Sequence, residues 1–535
     1  MKRQKVIPSR SGSSNIDAAL AALGAEDLRD LIRDIIPCLD DKTSSRFNNV
    51  IIERAVGSKT GWLPSGPTDE GVAEVLAFAK TAKRVGYADP SKIDDYLRQG
   101  SNAFLCRNYH AASQIFHALL LPISEGEIDL GQHEMFEEVL GMDASDCAAQ
   151  YVVAVYMTSL IEQRADAVFK AIKEMSNTGN FGEPLREMER VAVEPLPNFD
   201  VFLRQWRDLV QEVCNGECNH QWDLDLDRWL REAVRRMDGT EGLAGIARST
   251  RRSADLEAWC RALLEAGDWN AALTANEEAA EIAIDKIYSE GDFLDSAALA
   301  AQELGRKDLP ERLELAWRKA PNMLRLRRWL GSSGSKGVLK NRAAAAIETC
   351  PRKAHRQKAF LHVVLGDLEA AAKLLASAPG LGWSDGEHPG HLLFPILCRL
   401  LGDDSGYFEH EARHPALDID EMKLLTEDCD EPRLPNPSVD EIIERAGFEE
   451  LRIDRERAGL IKAMREAVRK RLEGLTENKR RSHYSHAAFL ASACVAIDGS
   501  DSTSEWIAAI RSEYRRFPAL QRELDRYLSQ ARKKI

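Results

Sequence analysis

Apolar residues recur along this chain at intervals of three and four far more often than at intervals of two. That spacing places them on one face of an α-helix, whereas alternation would mark a half-buried strand. The first such run is Leu20, Leu23, Leu28, Leu31, Ile32, Ile35 and Ile36, with Asn15 or Asp17 available as a cap. It predicts a compact N-terminal helical segment over 16–56, preceded by a short flexible tail over 1–15. The stretch GSKTGWLPSGPTDEG (57–71) carries Gly and Pro at positions that interrupt helix and strand alike, and reads as a linker. Runs of Val, Ile and Thr in strict alternation are hard to find. The expected fold class is therefore all-α.

Beyond the linker one unit appears three times. It is AFLCRNYHAASQIFHALL at 103–120, ALLEAGDWNAALTANEEA at 262–279 and LHVVLGDLEAAAKLLASA at 361–378. Each copy has a helix, a polar break (Arg107-Asn108, Gly267-Asp268, Gly366-Asp367), a large apolar residue (Tyr109, Trp269, Leu368) and then paired alanines. Gly or Asn closes a helix in a left-handed turn, and Asp or Asn caps the next one. Ala112, Ala272 and Ala371 permit close approach of a partner helix. Phe116, Asn276 and Leu375 follow four residues later on the same face, and the polar Asn276 weakens the second copy. A helix hairpin of this kind cannot bury its apolar stripe alone, so neighbouring hairpins must stack. The pattern predicts an α-α superhelix or solenoid, with helical-repeat regions over 72–250 and 251–430 and a C-terminal helical region over 431–535. Three unrelated helix pairs in a globular helical domain would carry the same residues, because the copies are unevenly spaced.

Composition agrees with a folded, soluble chain: 535 residues, 44% hydrophobic, 30% charged and 7% aromatic. A net charge of −14 argues against a surface that embraces nucleic acid or anionic lipid as a whole. No stretch has the length and purity of a transmembrane helix, and the start, MKRQKVIPSRSGSSN, lacks the apolar core of a secretory signal. Cys38, Cys106, Cys147, Cys260, Cys350, Cys398 and Cys494 are scattered singly, which suits reduced thiols in the cytoplasm better than a disulfide framework.

The residues Lys479-Arg480-Arg481, Tyr484, Ala487-Ala488, Trp506, Ile510-Arg511, Tyr514-Arg515-Arg516 and Ala519-Leu520 lie within 478–525. With them this segment resembles the C-terminal helical region of bacterial SWIM zinc-finger proteins. The segment 94–140 is similar to the repeat unit of such proteins. The resemblance covers roughly a fifth of the chain and implies a tetratricopeptide-like scaffold. The SWIM motif itself, Cys-x-Cys followed by Cys-x-His, is missing, because no Cys-x-Cys occurs in the chain. The family's zinc and its nucleic-acid reading therefore do not carry over.

Several motifs invite chemistry. Cys214-Asn-Gly-Glu-Cys218-Asn-His220 offers three metal ligands, with Asp223 or Asp225 as a fourth, but a surface loop holding two thiols accounts for it as well. His410-Glu-Ala-Arg-His414 is a literal H-E-x-x-H, undercut by the break at Gly402–Gly406 and by Pro415. Arg481 and His486 match the Arg-x4-His spacing of helical HEPN ribonucleases, in which the pair flanks a phosphate. The carboxylates Glu125, Glu127, Asp129, Glu134, Glu137 and Glu138 form an acidic cluster without calcium-loop spacing. Gly331–Gly337 fails the phosphate-loop spacing and reads as a flexible turn. Basic residues gather at Arg325, Arg327, Arg328, Lys336, Lys340 and Arg342, and again at Arg465, Arg469, Lys470, Arg471 and Lys479–Arg481. They read as solvated helix faces, with a phosphate groove as the alternative. The sum predicts a non-catalytic scaffold or adaptor that binds another protein in a bacterial cytosolic assembly, with no cofactor, metal or membrane. The alternative is a nucleic-acid-associated effector or ribonuclease using Arg481 and His486.

Overall fold

The computed structural model describes residues 20–58, 60–131, 139–216, 223–284, 286–402, 432–448, 456–498 and 500–534. Every extended element among them is helical, and the one strand-like feature is an isolated bridge between Tyr87 and Asp129. In chain order the α-helices are α1 (Ala25–Ile35), α2 (Asp41–Val56), α3 (Asp69–Val85), α4 (Pro90–Leu105), α5 (Tyr109–Ser124), α6 (Ala144–Thr158), α7 (Arg164–Glu174), α8 (Pro184–Val191), α9 (Phe199–Gly216), α10 (Asp223–Thr250), α11 (Ser253–Glu265) and α12 (Trp269–Ile282). They continue with α13 (Lys286–Glu303), α14 (Leu309–Lys319), α15 (Met323–Gly331), α16 (Lys336–Thr349), α17 (His355–Leu365), α18 (Leu368–Ser377), α19 (Gly390–Leu401), α20 (Val439–Arg445), α21 (Arg457–Glu477), α22 (Tyr484–Ile497), α23 (Asp501–Glu513) and α24 (Pro518–Lys534). No helix is long and apolar enough, among the described residues, to cross a membrane.

The chain forms two compact units, Met1–Leu243 and Ala244–Ile535. Their boundary falls inside α10, just after Gly239, whose φ of 62° and ψ of −146° break the helix in a conformation reserved for glycine. Within each unit helices adjacent in sequence pack against each other: α4 on α5, α5 on α6 and α6 on α7 in the first, and α11 on α12, α12 on α13, α13 on α14 and α17 on α18 in the second. The C-terminal end adds contacts across longer stretches of chain, with α18 on α21 and α22 on α24.

The three sequence copies share one backbone turn. Arg107, Gly267 and Gly366 sit at φ 66°, 69° and 79°. The following residue takes nearly the same conformation each time: Asn108 at φ −83°, ψ 67°; Asp268 at −82°, 73°; Asp367 at −85°, 73°. Each side chain accepts from the amide three residues on, at 3.2, 3.1 and 3.1 Å. The N–H groups of Asn108, Asp268 and Asp367 return to the carbonyls of Ala103, Leu263 and His362 at 2.8, 3.1 and 2.9 Å, which satisfies an orphan carbonyl of the preceding helix. Ala112, Ala272, Ala371, Phe116, Asn276 and Leu375 are all fully buried. Asn276 fits because its amide donates to the Ala272 carbonyl at 2.8 Å. Two further copies of the turn were not legible in sequence. Gly305 (φ 64°) links α13 to α14, and Lys479 (φ 54°) follows α21, with Arg480 at φ −83°, ψ 66°.

Other expectations change. The N-terminal segment is not compact: α1 buries none of its residues, and Leu20, Leu23, Leu31 and Ile35 stand 38–44% exposed. An amphipathic stripe specifies half of an interface, and here it is covered only in part, with Leu28, Ile32 and Ile36 half-buried. The linker ends earlier than expected, because Thr68 caps α3 by accepting from Gly71 N at 3.2 Å. Cys147, Cys260, Cys350, Cys398 and Cys494 are buried outside any disulfide among the described residues, whereas Cys106 is half-buried and Cys38 exposed.

Candidate functional site

Of the residues singled out for chemistry, His486 has the most structured surroundings. Five elements of the second unit bring ionisable side chains together there. α17 contributes Arg356, the segment between α18 and α19 contributes Trp383 and His388, α19 contributes His391, α21 contributes Arg471 and α22 contributes His486. The Trp383 ring stands at the centre, 4.5 Å from the His388 ring, 5.5 Å from His391 and 5.0 Å from His486. His388 and His391 are 5.9 Å apart.

Close backbone approach builds this cluster. A Cβ on Gly390 would lie 2.4 Å from the Trp383 ring, and one on Gly380 would lie 1.8 Å from the Lys470 carbonyl oxygen, so neither position admits a side chain without a shift. Arg471 donates to the Gly380 carbonyl at 3.0 Å and thereby fastens the segment to α21. His388 Nδ1 accepts from Gly390 N at 3.1 Å, which puts its proton on Nε2.

The electrostatics are those of an interior. Arg471 is 4% exposed, and burial draws its pKa down to about 10. Burial, with His391 adding to it, pushes His388 down to about 4. Burial together with Arg471 takes His486 down to about 3, and burial with Arg356 lowers His391. All three imidazoles are therefore neutral at pH 7. Nε2 of His388, Nδ1 of His486 and Nε of Arg471 are buried without a hydrogen-bond partner. Among the described residues no three His, Cys, Asp or Glu side chains converge on a metal position.

Arg481 does not join His486. It lies exposed in the short 3₁₀ turn before α22, while His486 packs edge-on against Trp383. An imidazole held neutral and packed on an indole ring is a poor general acid for a phosphate at neutral pH. The Arg481–His486 ribonuclease geometry thus finds no support.

The basic clusters are solvated faces only in part: Lys336, Arg469 and Lys479–Arg481 are exposed, whereas other members turn inward. Arg325 and Arg327 are 8% and 4% exposed. Arg325 is bound by Asp295 at 2.8 Å, Asp292 at 2.9 Å and the Ala320 carbonyl at 3.1 Å. Arg342 holds the turn at Gly331–Gly337 by donating to the Trp329 carbonyl at 3.0 Å and Ser332 Oγ at 2.9 Å, so that turn is tied rather than loose. In the second cluster Arg465 pairs with Asp498 at 2.6 Å and Arg469 with Glu466 at 2.9 Å. The guanidinium groups of Arg325, Arg342 and Arg465 are already satisfied by protein acceptors, which leaves them little capacity for a phosphate backbone.

Of the metal motif, Cys214 is half-buried near the end of α9, while Cys218 and His220 lie outside the described residues. The H-E-x-x-H at His410–His414 lies wholly outside them, as do Glu134, Glu137 and Glu138 of the acidic cluster. Glu127 pairs with Lys83 at 2.5 Å, and Asp129 accepts from Gly131 N at 2.8 Å. Of the residues carrying the SWIM-like resemblance, Tyr484, Ala487, Ala488, Ile510, Tyr514 and Leu520 are core, whereas Lys479, Arg480 and Arg481 are exposed.

Comparison with known protein families, with curated proteins and with solved structures finds no match for this chain.

Proposed function

We propose that this chain is a non-catalytic helical-repeat scaffold, a solenoid of tetratricopeptide-like hairpins that holds another protein in a bacterial cytosolic assembly. One observation carries the reading. The same left-handed turn and side-chain cap joins consecutive helices at 106–108, 266–268 and 365–367, with cap dihedrals agreeing within a few degrees. Repetition of one joint between successive helices is how a repeat array is built, and such arrays expose long surfaces for partners. The internal pairing of the buried arginines fits a scaffold better than a phosphate-binding groove. The SWIM-like tail adds the expectation of a bacterial setting.

The test is capture of the tagged full chain from its native cells, followed by reconstitution. The expected result is a single protein at fixed stoichiometry that co-elutes with the purified chain in size-exclusion chromatography. Recovery of RNA or DNA without a stoichiometric protein overturns the proposal.

A further inference from the structure

The first unit contains a cleft of about 370 Å³, formed where α10 meets the segment between α7 and α8. Its size falls within the range of about 300–1,000 Å³ usual for small-molecule pockets. On α10, Asp225, Arg228, Trp229 and Glu232 follow one another at helical spacing and share one face.

Two of these four hold the cleft together. Trp229 Nε1 donates to the Phe181 carbonyl at 2.5 Å. The Glu232 carboxylate accepts from Leu185 N at 3.1 Å and from Arg186 N at 2.7 Å, at the start of α8. The segment is compact enough that a Cβ on Gly179 would lie 2.3 Å from the Phe181 ring. The wall is thus pinned to α10 before any ligand arrives.

The other two are left over. Asp225 and Arg228 both line the cleft, and among the described residues neither makes an ion pair or a hydrogen bond. An Asp and an Arg three positions apart on a helix ordinarily close on each other. Here Arg228 instead extends over Gly182, its Nη1 3.3 Å from where a Cβ on that glycine would stand. The cleft therefore presents one cation and one anion about a helical turn apart (~5 Å), above apolar surface from Ile172, Phe181 and Trp229, with Ser176 at its edge.

We infer that this cleft binds a free α-amino acid with an aromatic or branched apolar side chain. The carboxylate lies on Arg228, the ammonium on Asp225 and the side chain on the Phe181–Trp229 floor. A free α-amino acid carries both charged groups on one carbon, whereas either end of a peptide carries only one.

Isothermal titration of the full chain tests this with L-phenylalanine, L-leucine, L-phenylalaninamide, which lacks the carboxylate, and N-acetyl-L-phenylalanine, which lacks the ammonium. The free amino acids are expected to bind saturably and each blocked form at least about tenfold more weakly. Arg228→Gln should abolish discrimination between acid and amide, and Asp225→Asn that between free and acetylated forms, with circular dichroism unchanged. Absence of saturable binding by either amino acid overturns the inference. So does equal binding of the blocked forms, or discrimination that survives both substitutions.

Discussion

His486 gives the sharpest test of the second unit's interior. Its pKa falls from the ordinary 6.5 to about 3 in the folded chain, because burial and Arg471 disfavour the imidazolium. The unfolded state therefore takes up the proton more readily. The stability that depends on the neutral ring is fully present above the unfolded value and is lost as pH falls from 6.5 toward 3. Between pH 7.5 and about pH 4.5 this one ring removes up to about 2.7 kcal/mol, at 1.36 kcal/mol per pH unit. His388, with its folded pKa of about 4, adds a similar amount over the same window. The assay is urea unfolding of the full chain, followed by circular dichroism across that range, for the natural chain and for His486→Gln. The variant loses some packing against Trp383 at every pH, so the readout is the slope rather than the level. The natural chain should lose stability more steeply, with the two curves converging by roughly 2–3 kcal/mol toward about pH 4.5. Parallel curves would falsify the buried neutral imidazole.

Asp268→Ala and Asp367→Ala each remove a cap bond and should cost about 1 kcal/mol of unfolding free energy, with smaller losses for the Ser variants. Phe116→Ala empties a fully buried site in the first unit and should cost about 3–5 kcal/mol, read as a lowered urea midpoint. Ala371→Leu overpacks the approach of α17 and α18 and should cost about 1–3 kcal/mol, whereas the same change at exposed Ala266 should be nearly silent. Elemental analysis of the purified chain should find no stoichiometric zinc; one zinc per chain, lost in Cys214→Ser, would show that the Cys214–His220 motif is a metal site.

Local rules were enough to read the joints from sequence. A helix end needs a residue tolerant of positive φ followed by a side chain that accepts backbone N–H groups. Gly267-Asp268 and Gly366-Asp367 announce both requirements in two letters. Burial of Ala112, Ala272 and Ala371 followed from their spacing, since side chains four apart share a helix face. Arg107 and Lys479 supply the same turn without glycine, and the Lys479 copy was invisible because its cap position holds Arg480 rather than Asp or Asn.

The state of each charge was decided by contacts between distant segments, and no periodicity encodes those. Arg325 and Arg327 look like a basic face until Asp292, Asp295 and Asn436 close around them. His486 looks like half of a catalytic pair until Trp383, His391 and Arg471 gather around it from other elements. Asp225 and Arg228 sit a helical turn apart on α10, and the segment after α7 draws Arg228 over Gly182. The sequence by itself determined where helices start, stop and turn, because those terms are summed over a few neighbouring residues. Whether a charge is paired, neutralised or left free depends on the local dielectric and on partners tens to hundreds of residues away, and only the tertiary structure decides it.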